Sequence, residues 1–209
     1  SMLEQSKHII ENYITEVELI ADNFESNPVI ADLCEGRRSI DEFKGSNYIE
    51  LNRILYEIRS RARVADNVYL YITKDETVLS SSEVMSAKTF YNSNPQYKKT
   101  EYSDFVSSYL NVYDYKKFSG TGMTDSLSGS YITYSQSFPR NDYKRSDFKL
   151  LIRIDGEKIS KVLNPISGGN GALTLILDKN GEVIYKNSSE MKSDPKKLVK
   201  IMTRNNFFR

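Results

Sequence analysis

The chain has 209 residues, 29 Lys and Arg against 28 Asp and Glu, and a formal net charge of +1. That balance argues against a dedicated nucleic-acid binder, whose affinity comes from neutralising phosphates. With 39% apolar residues and no apolar run approaching ~20, it should fold as one large or two small globular units and should not itself cross a membrane. One histidine, one cysteine and no tryptophan exclude an intramolecular disulfide and leave no His/Cys cluster for zinc or haem, so no metal or cofactor is expected. Ser1-Met2 reads as an expression scar, and the chain is read as part of a longer protein.

The first element should be a long helix from Leu3 to Phe24. Leu3, Ile10, Val17 and Phe24 repeat by seven, and Tyr13 and Ile20 follow two of them by three, a heptad-like stripe. Ile14 and Ala21 widen it, so the helix can cover a sheet or meet a partner helix. Asn27-Pro28 ends it, a short helix over Val29–Cys34 follows, and a polar loop runs through Gly36 and Gly45. Cys34 is expected to pack as a small apolar side chain. Ser46 or Asn47 should cap a second helix running to Val64, with Leu51, Ile54, Leu55, Ile58 and Ala62 on one face.

Val68–Thr73 and Thr77–Ser81 then read as a hairpin around Lys74-Asp75-Glu76. The stretch Glu83–Gly129 is irregular and rich in Tyr, Ser, Asn and Asp, with short helices near Ser86–Asn92 and Asp104–Asp114. Ser130–Phe138 and Phe148–Ile154 read as strands, Gly156–Leu163 as a short helix and Pro165–Gly171 as a linker. A second hairpin, ALTLILDKNGEVIYKN, should turn at Asn180-Gly181 in type I′ geometry, with Lys179 opposite Glu182. Asp194–Arg204 should close the order as a helix, capped by Asp194 with Pro195 at its first position. Antiparallel strands segregated from helices make the class α+β, with a long N-terminal helix and a flanked antiparallel sheet.

Catalysis is not expected. His8, the one histidine, lies on the first helix and is read as a surface residue. Gly168-Gly169-Asn170-Gly171 lacks the Lys-Ser/Thr of a phosphate-binding loop, and acidic pairs such as Glu16 and Glu18 are ordinary in a chain this charged.

The stretches VYLYITKDETVLSSS, YITYSQSFP and DFKLLIRIDGEKISKVLN leading into ALTLILDKNGEVI resemble, in order and pattern, the double Cache sensor domain. They look most like the extracellular sensors of Gram-positive transmembrane AraC-type regulators and related sensor histidine kinases. The resemblance implies a PAS-like fold. Residues 1–39 would be a helical stalk, 40–164 a membrane-distal module, and 165–209 the incomplete start of a membrane-proximal one. It also implies a small-molecule ligand, a membrane anchor in the parent protein, a place on the extracellular face of the cell membrane, and a homodimer through the N-terminal helix. No contact with nucleic acid is expected from this region.

Amino-acid-binding members carry an Arg-x-Trp-Tyr-like cluster and a later aspartate. The comparable stretch is Lys88-Thr89-Phe90-Tyr91, which loses the bidentate fork of arginine and the N–H of tryptophan. Asp114 or Asp125 would supply the anion. No amino-acid ligand is expected on this basis. Eight tyrosines cluster between residues 90 and 135, and their apolar faces and polar tips suit a small polar ligand. The residues expected to bind it, chosen because they lie where the family lines its pocket, are Lys88, Tyr91, Asp125, Tyr131 and Tyr134. The alternative is a module without a small-molecule ligand, recognising a protein or cell-wall component, or spacing and dimerising a receptor.

Overall fold

The computed structural model describes residues 2–121, 131–140, 143–144, 146–165, 173–178, 183–187 and 198–202. Helix α1 (Met2–Glu25) leads to α2 (Pro28–Cys34), α3 (Asp41–Lys44) and α4 (Ile49–Arg61). Strands β1 (Ala65–Ile72), β2 (Thr77–Leu79) and β3 (Val84–Ser86) follow. Next come α5 (Ala87–Ser93), a 3-10 turn at Pro95–Tyr97, and α6 (Tyr102–Phe105), which runs into a π-helical turn at Val106–Leu110. Strands β4 (Lys117–Thr121), β5 (Tyr131–Phe138) and β6 (Phe148–Asp155) precede α7 (Gly156–Leu163), and β7 (Leu173–Leu177), β8 (Val183–Asn187) and β9 (Leu198–Met202) come last.

The first six strands make one antiparallel sheet in the order β3-β2-β1-β6-β5-β4, and the last three a small sheet, β8-β7-β9. The α+β class expected from the sequence is the class observed. Side-chain alternation gives the large sheet two different faces. On one, Val68, Leu70 and Ile72 of β1, Leu150, Ile152 and Ile154 of β6, and Ile132, Tyr134 and Phe138 of β5 join Ile10, Ile14, Val17, Ala21 and Phe24 of α1 in the main core. The other face is covered by the segment 87–110.

The heptad-like stripe of α1 is therefore mostly spent inside its own unit, since Ile10, Val17, Ile20 and Phe24 are buried there. The exposed apolar side chains of α1 are Met2, Leu3, Ile9 and Leu19. Asn27 caps α2, its Oδ1 accepting from the Val29 N–H at 3.0 Å, with Pro28 at the first helical position. Cys34 is half-buried against the main core.

Two local expectations are corrected, and one left open is filled in. Neither Ser46 nor Asn47 caps α4. The chain enters that helix through Asn47 and Tyr48 in left-handed geometry, φ 49° and 60°, which carries the Tyr48 ring into the core. The β1–β2 hairpin is present as expected, and its turn, whose type the sequence leaves open, is a 3-10 turn closed by left-handed Glu76, φ 47°. Helix was expected over 194–204, yet Leu198–Met202 is a strand paired parallel with β7, from Leu173 opposite Leu198 to Leu177 opposite Met202. Five residues with Val199 and Ile201 do not distinguish a short helix from a strand, and an available sheet edge decides.

In the β7–β8 hairpin, Ile176 sits opposite Tyr185, and the register then shifts so that Leu177 faces Val183, not the Ile184 that a two-residue Asn180-Gly181 turn would place there. The turn itself, the Lys179–Glu182 pair, and the cap expected from Asp194 and Pro195 lie outside the described residues.

Candidate functional site

The register of the three central strands builds the second face of the large sheet. Arg153 of β6 stands between Asn67 of β1 and Thr133 of β5. Leu151 stands between Tyr69 and Ser135, and Lys149 between Tyr71 and Ser137. Over them lie Phe90, Tyr97, Phe105 and Tyr109 from the 87–110 segment. Their rings interlock, with centroids 4.6 Å apart for Tyr97 and Phe105, 5.4 Å for stacked Phe105 and Tyr109, and 5.0 Å for Phe90 edge-on to Tyr69.

Two polar centres sit in this layer. At the first, Arg153 is 7% exposed. Its Nη1 donates to Asn94 Oδ1 at 2.6 Å, and its Nη2 lies 3.6 Å from Asp66 Oδ2. The guanidinium lies 3.9 Å from the Tyr131 ring centroid and 5.7 Å from that of Tyr69, a cation–π arrangement. Its Nε is buried without a hydrogen-bond partner. Asn94 is aimed by its own Nδ2, which donates to the Phe90 carbonyl at 2.6 Å. The Tyr97 and Tyr109 hydroxyls are 3.4 Å apart. Burial pushes both phenols up, so both stay protonated and able to donate; in Tyr109, the hydrogen bond with Tyr97 opposes the rise.

At the second centre Lys149 is fully buried. Its Nζ donates to the Tyr109 carbonyl at 2.7 Å and pairs with Asp114 Oδ2 at 2.9 Å. Asp114 Oδ2 also accepts from Ser135 Oγ at 2.9 Å, and its Oδ1 is 3.3 Å from Lys117 Nζ. Burial pushes the Lys149 amine down, and Asp114 opposes that. The π-helical turn ends at this anchor, so Lys149 fixes the backbone of the residue whose ring faces the first centre.

The arrangement offers a guanidinium, phenol hydroxyls, an amide and aromatic faces, a set suited to binding. Among the described residues no group of three or more His, Cys, Asp or Glu could hold a metal ion. Elsewhere, a cavity of about 420 Å³ opens at the far end of the sheet among Leu33, Arg38, Ile40, Ile72, Lys74 and Phe148. Its cations are already engaged, Arg38 with Glu42 and Glu50 and Lys74 with Asp41. The tyrosine-lined layer is the better candidate.

Of the residues expected from sequence, Tyr131 lies against Arg153. Lys88 is exposed on α5. Tyr91 stays within the covering layer, packed on Tyr102 and Phe105, with its hydroxyl donating to the Thr100 carbonyl at 2.6 Å. Tyr134, three residues from Tyr131, is on the opposite face of β5, buried against Phe118, and burial pushes its phenol up. Asp125 lies outside the described residues. Asp114, weighed as an anion for a ligand, is the counter-charge of Lys149.

Arg153, Asn94, Tyr69 and Lys149 were missed. A signal for two of them was present in FKLLIRID, where Lys149 and Arg153 occupy alternate positions of an otherwise apolar strand, which puts both charges on one face.

No family model and no curated protein matches the chain. Among solved structures, the ligand-binding domain of the Campylobacter jejuni chemoreceptor Tlp3 in complex with 4-methylisoleucine is similar at 16% identity, with a TM-score of 0.43 and coverage of 94% of this chain and 76% of that one. The sensory domain of the same chemoreceptor with isoleucine bound is 17% identical, with a TM-score of 0.41 and coverage of 88% and 70%. The extracellular domain of a protein read as a histidine kinase, vpHK1S-Z8, is 10% identical, with a TM-score of 0.34 and coverage of 78% and 62%.

Proposed function

We propose that the chain is the extracellular small-molecule-sensing part of a membrane-anchored signalling receptor, not an enzyme. The observation that carries this reading is the gathering of the Arg153–Asn94 and Tyr97–Tyr109 pairs, beside the Lys149–Asp114 anchor, in the aromatic layer between the sheet and the 87–110 segment. Buried polar groups are costly, and their gathering at one place between two layers suits a ligand site. Tyr131 is the ligand contact retained from the sequence reading.

In this reading residues 40–164 form the sensing module and 165–209 begin a second. The output, a histidine kinase or an AraC-type DNA-binding unit, belongs to the parent protein. Ligand closure shifts the layer against the sheet, and α1, packed on the other face, carries the shift toward the membrane or a partner α1. A coupling on the order of 1–3 kcal/mol suffices. Among the described residues no helix is long and apolar enough to cross a membrane.

The test is a thermal-shift screen against amino acids, sugars, short peptides, carboxylates and nucleobases. A ligand at a hundredfold its dissociation constant stabilises by about 2.7 kcal/mol. A chain of this size moves by roughly 2–4 °C per kcal/mol, so a hit stands clear. Tyr131→Ala should abolish the shift. The interlocked rings of Phe90, Tyr97, Phe105 and Tyr109 favour the second reading, a module without a small-molecule ligand, and a blank across all five classes would select it.

A further inference from the structure

We infer that the seating of α1 on the sheet is set by a proton at Glu18, so that this helix responds to mild acid. The contact lies on the face of the sheet away from the candidate ligand site, and only its use as a receptor input rests on the sensor reading.

Charge is out of balance under this helix. Glu18, Asp22 and Glu25 follow one another on α1 at spacings of four and three, so they share a face. Two cations meet them, Lys116 just before β4 and Arg140 just after β5. The outer acids are matched. Arg140 Nη1 lies 2.8 Å from Asp22 Oδ1 and its Nε 3.0 Å from Glu25 Oε2, while Lys116 Nζ is 3.8 Å from Asp22 Oδ2. Glu18 is the third acid against two cations. It is 4% exposed, yet among the described residues its carboxyl makes no hydrogen bond and no ion pair. Val17, Ala21 and Phe24 seat the same turns of α1 in the main core. An unpaired charge enclosed at that level opposes the seating, and one proton removes it.

The groups around Glu18 fix the direction. Burial acts on it most, Lys116 opposes and Asp22 adds, so the proton is taken up above the ordinary 4.5. Tyr134 of β5, Tyr115 beside Lys116, and Arg140 face the same space. Burial, with Arg140 opposing and Glu18 adding, pushes the Tyr134 phenol up, so it brings no charge of its own. Burial raises Glu25 too, against Arg140, but a proton there leaves Arg140 its 2.8 Å contact with Asp22. A carboxyl whose pKa is raised in the seated state weakens that state while it is charged and ceases to do so once protonated. The helix α1 therefore sits more firmly as pH falls from neutral into the upper carboxylate range.

Hydrogen exchange of the whole chain at about pH 7.5 and about pH 5, corrected for intrinsic rates, tests this. Protection over residues 14–25 of α1, taken relative to β1 and β6, should rise at least about threefold at the lower pH. In Glu18→Gln the higher protection should already be present at neutral pH, and the rise should be gone. Lys116→Gln keeps the carboxyl and removes the cation that favours its charge, so the rise should come at a higher pH. That variant carries the test if Glu18→Gln does not fold, and melting curves report folding. Protection over α1 that stays flat or falls as the native chain is acidified would overturn the inference. A rise that persists in a folded Glu18→Gln, or one that does not move in a folded Lys116→Gln, would overturn the assignment to Glu18. A blank ligand screen would remove the sensor reading and leave the proton-dependent contact standing.

Discussion

At the scale of single residues, the chain carries two buried positive charges on one strand and treats them differently. Lys149 is a strut. It holds the end of the π-helical turn to the sheet through Tyr109 and Asp114, and the Tyr71 hydroxyl adds a bond to Asn111 Oδ1 at 2.9 Å beside it. Removing one member of a buried pair strands the other, at a cost of about 3–5 kcal/mol. Lys149→Met should therefore destabilise strongly in urea unfolding. The double variant Lys149→Met with Asp114→Asn should recover a good part of the loss, because no charge is then left unpaired. If the double variant is as unstable as the sum of the singles, the pair is not the anchor described here. Tyr131 and Tyr134 give the complementary lesson. Both lie in one tyrosine-rich strand, but a spacing of three in a strand sends them to opposite faces.

At the scale of elements, α1 is held by more than its apolar stripe. Glu18, Asp22 and Glu25 share a helical face that meets Lys116 and Arg140 from the loops beside the sheet. Arg140 lies 2.8 Å from Asp22 and 3.0 Å from Glu25, and Lys116 lies 3.8 Å from Asp22. Glu18 is 4% exposed. Burial raises its pKa above the ordinary 4.5, Lys116 opposes the rise and Asp22 adds to it. Glu25 is raised by burial too, with Arg140 opposing.

A carboxyl raised in the folded state binds protons more readily there than in the unfolded chain. Its cost to stability is therefore present at neutral pH and relieved as pH falls through the carboxylate range. Glu18→Gln should raise the melting temperature at pH 7, by roughly 2–4 °C for each ~1 kcal/mol relieved. That gain should vanish as pH drops toward 4.5, the ordinary pKa. A gain independent of pH would point to packing instead of charge. The same helix shows why a heptad-like stripe does not by itself announce a dimer: a period near 3.5 also suits a helix laid on a sheet, and here the sheet takes most of it.

At the scale of the whole molecule, the small sheet is docked on the large one through β4 and β8. Gly120 is a point of close approach, since a Cβ there would collide with the Ile184 carbonyl oxygen. The Tyr185 hydroxyl donates to the Gly156 carbonyl at 3.1 Å, and Ile176, Ile184 and Tyr185 complete the main core. Gly120→Ala should push the two sheets apart. Hydrogen exchange would then quicken in β7 and β8 while β1, β5 and β6 keep their protection. Unchanged exchange in β7 and β8 would mean that this contact does not hold the small sheet. The three-stranded sheet is thus packed on the six-stranded one and shares its core.

The sequence by itself determined the local elements whose cause is local. Asn27-Pro28 stops α1 because proline bars the helix and asparagine caps the next one. Alternation makes β1, β5 and β6 strands, and apolar periodicity makes α1 and α4 helices. Most of the polar site was beyond it. Asn94 reaches Arg153, and Tyr97 meets Tyr109, only because a segment without strong periodicity folds back over the sheet. Tertiary structure also decided that Leu198–Met202 is a strand, since a sheet edge supplies hydrogen bonds that five ambiguous residues cannot specify. Local propensity acts over a few residues, whereas a buried charge is placed by its partners, and for Arg153 the nearest acceptor is 59 positions away in the chain.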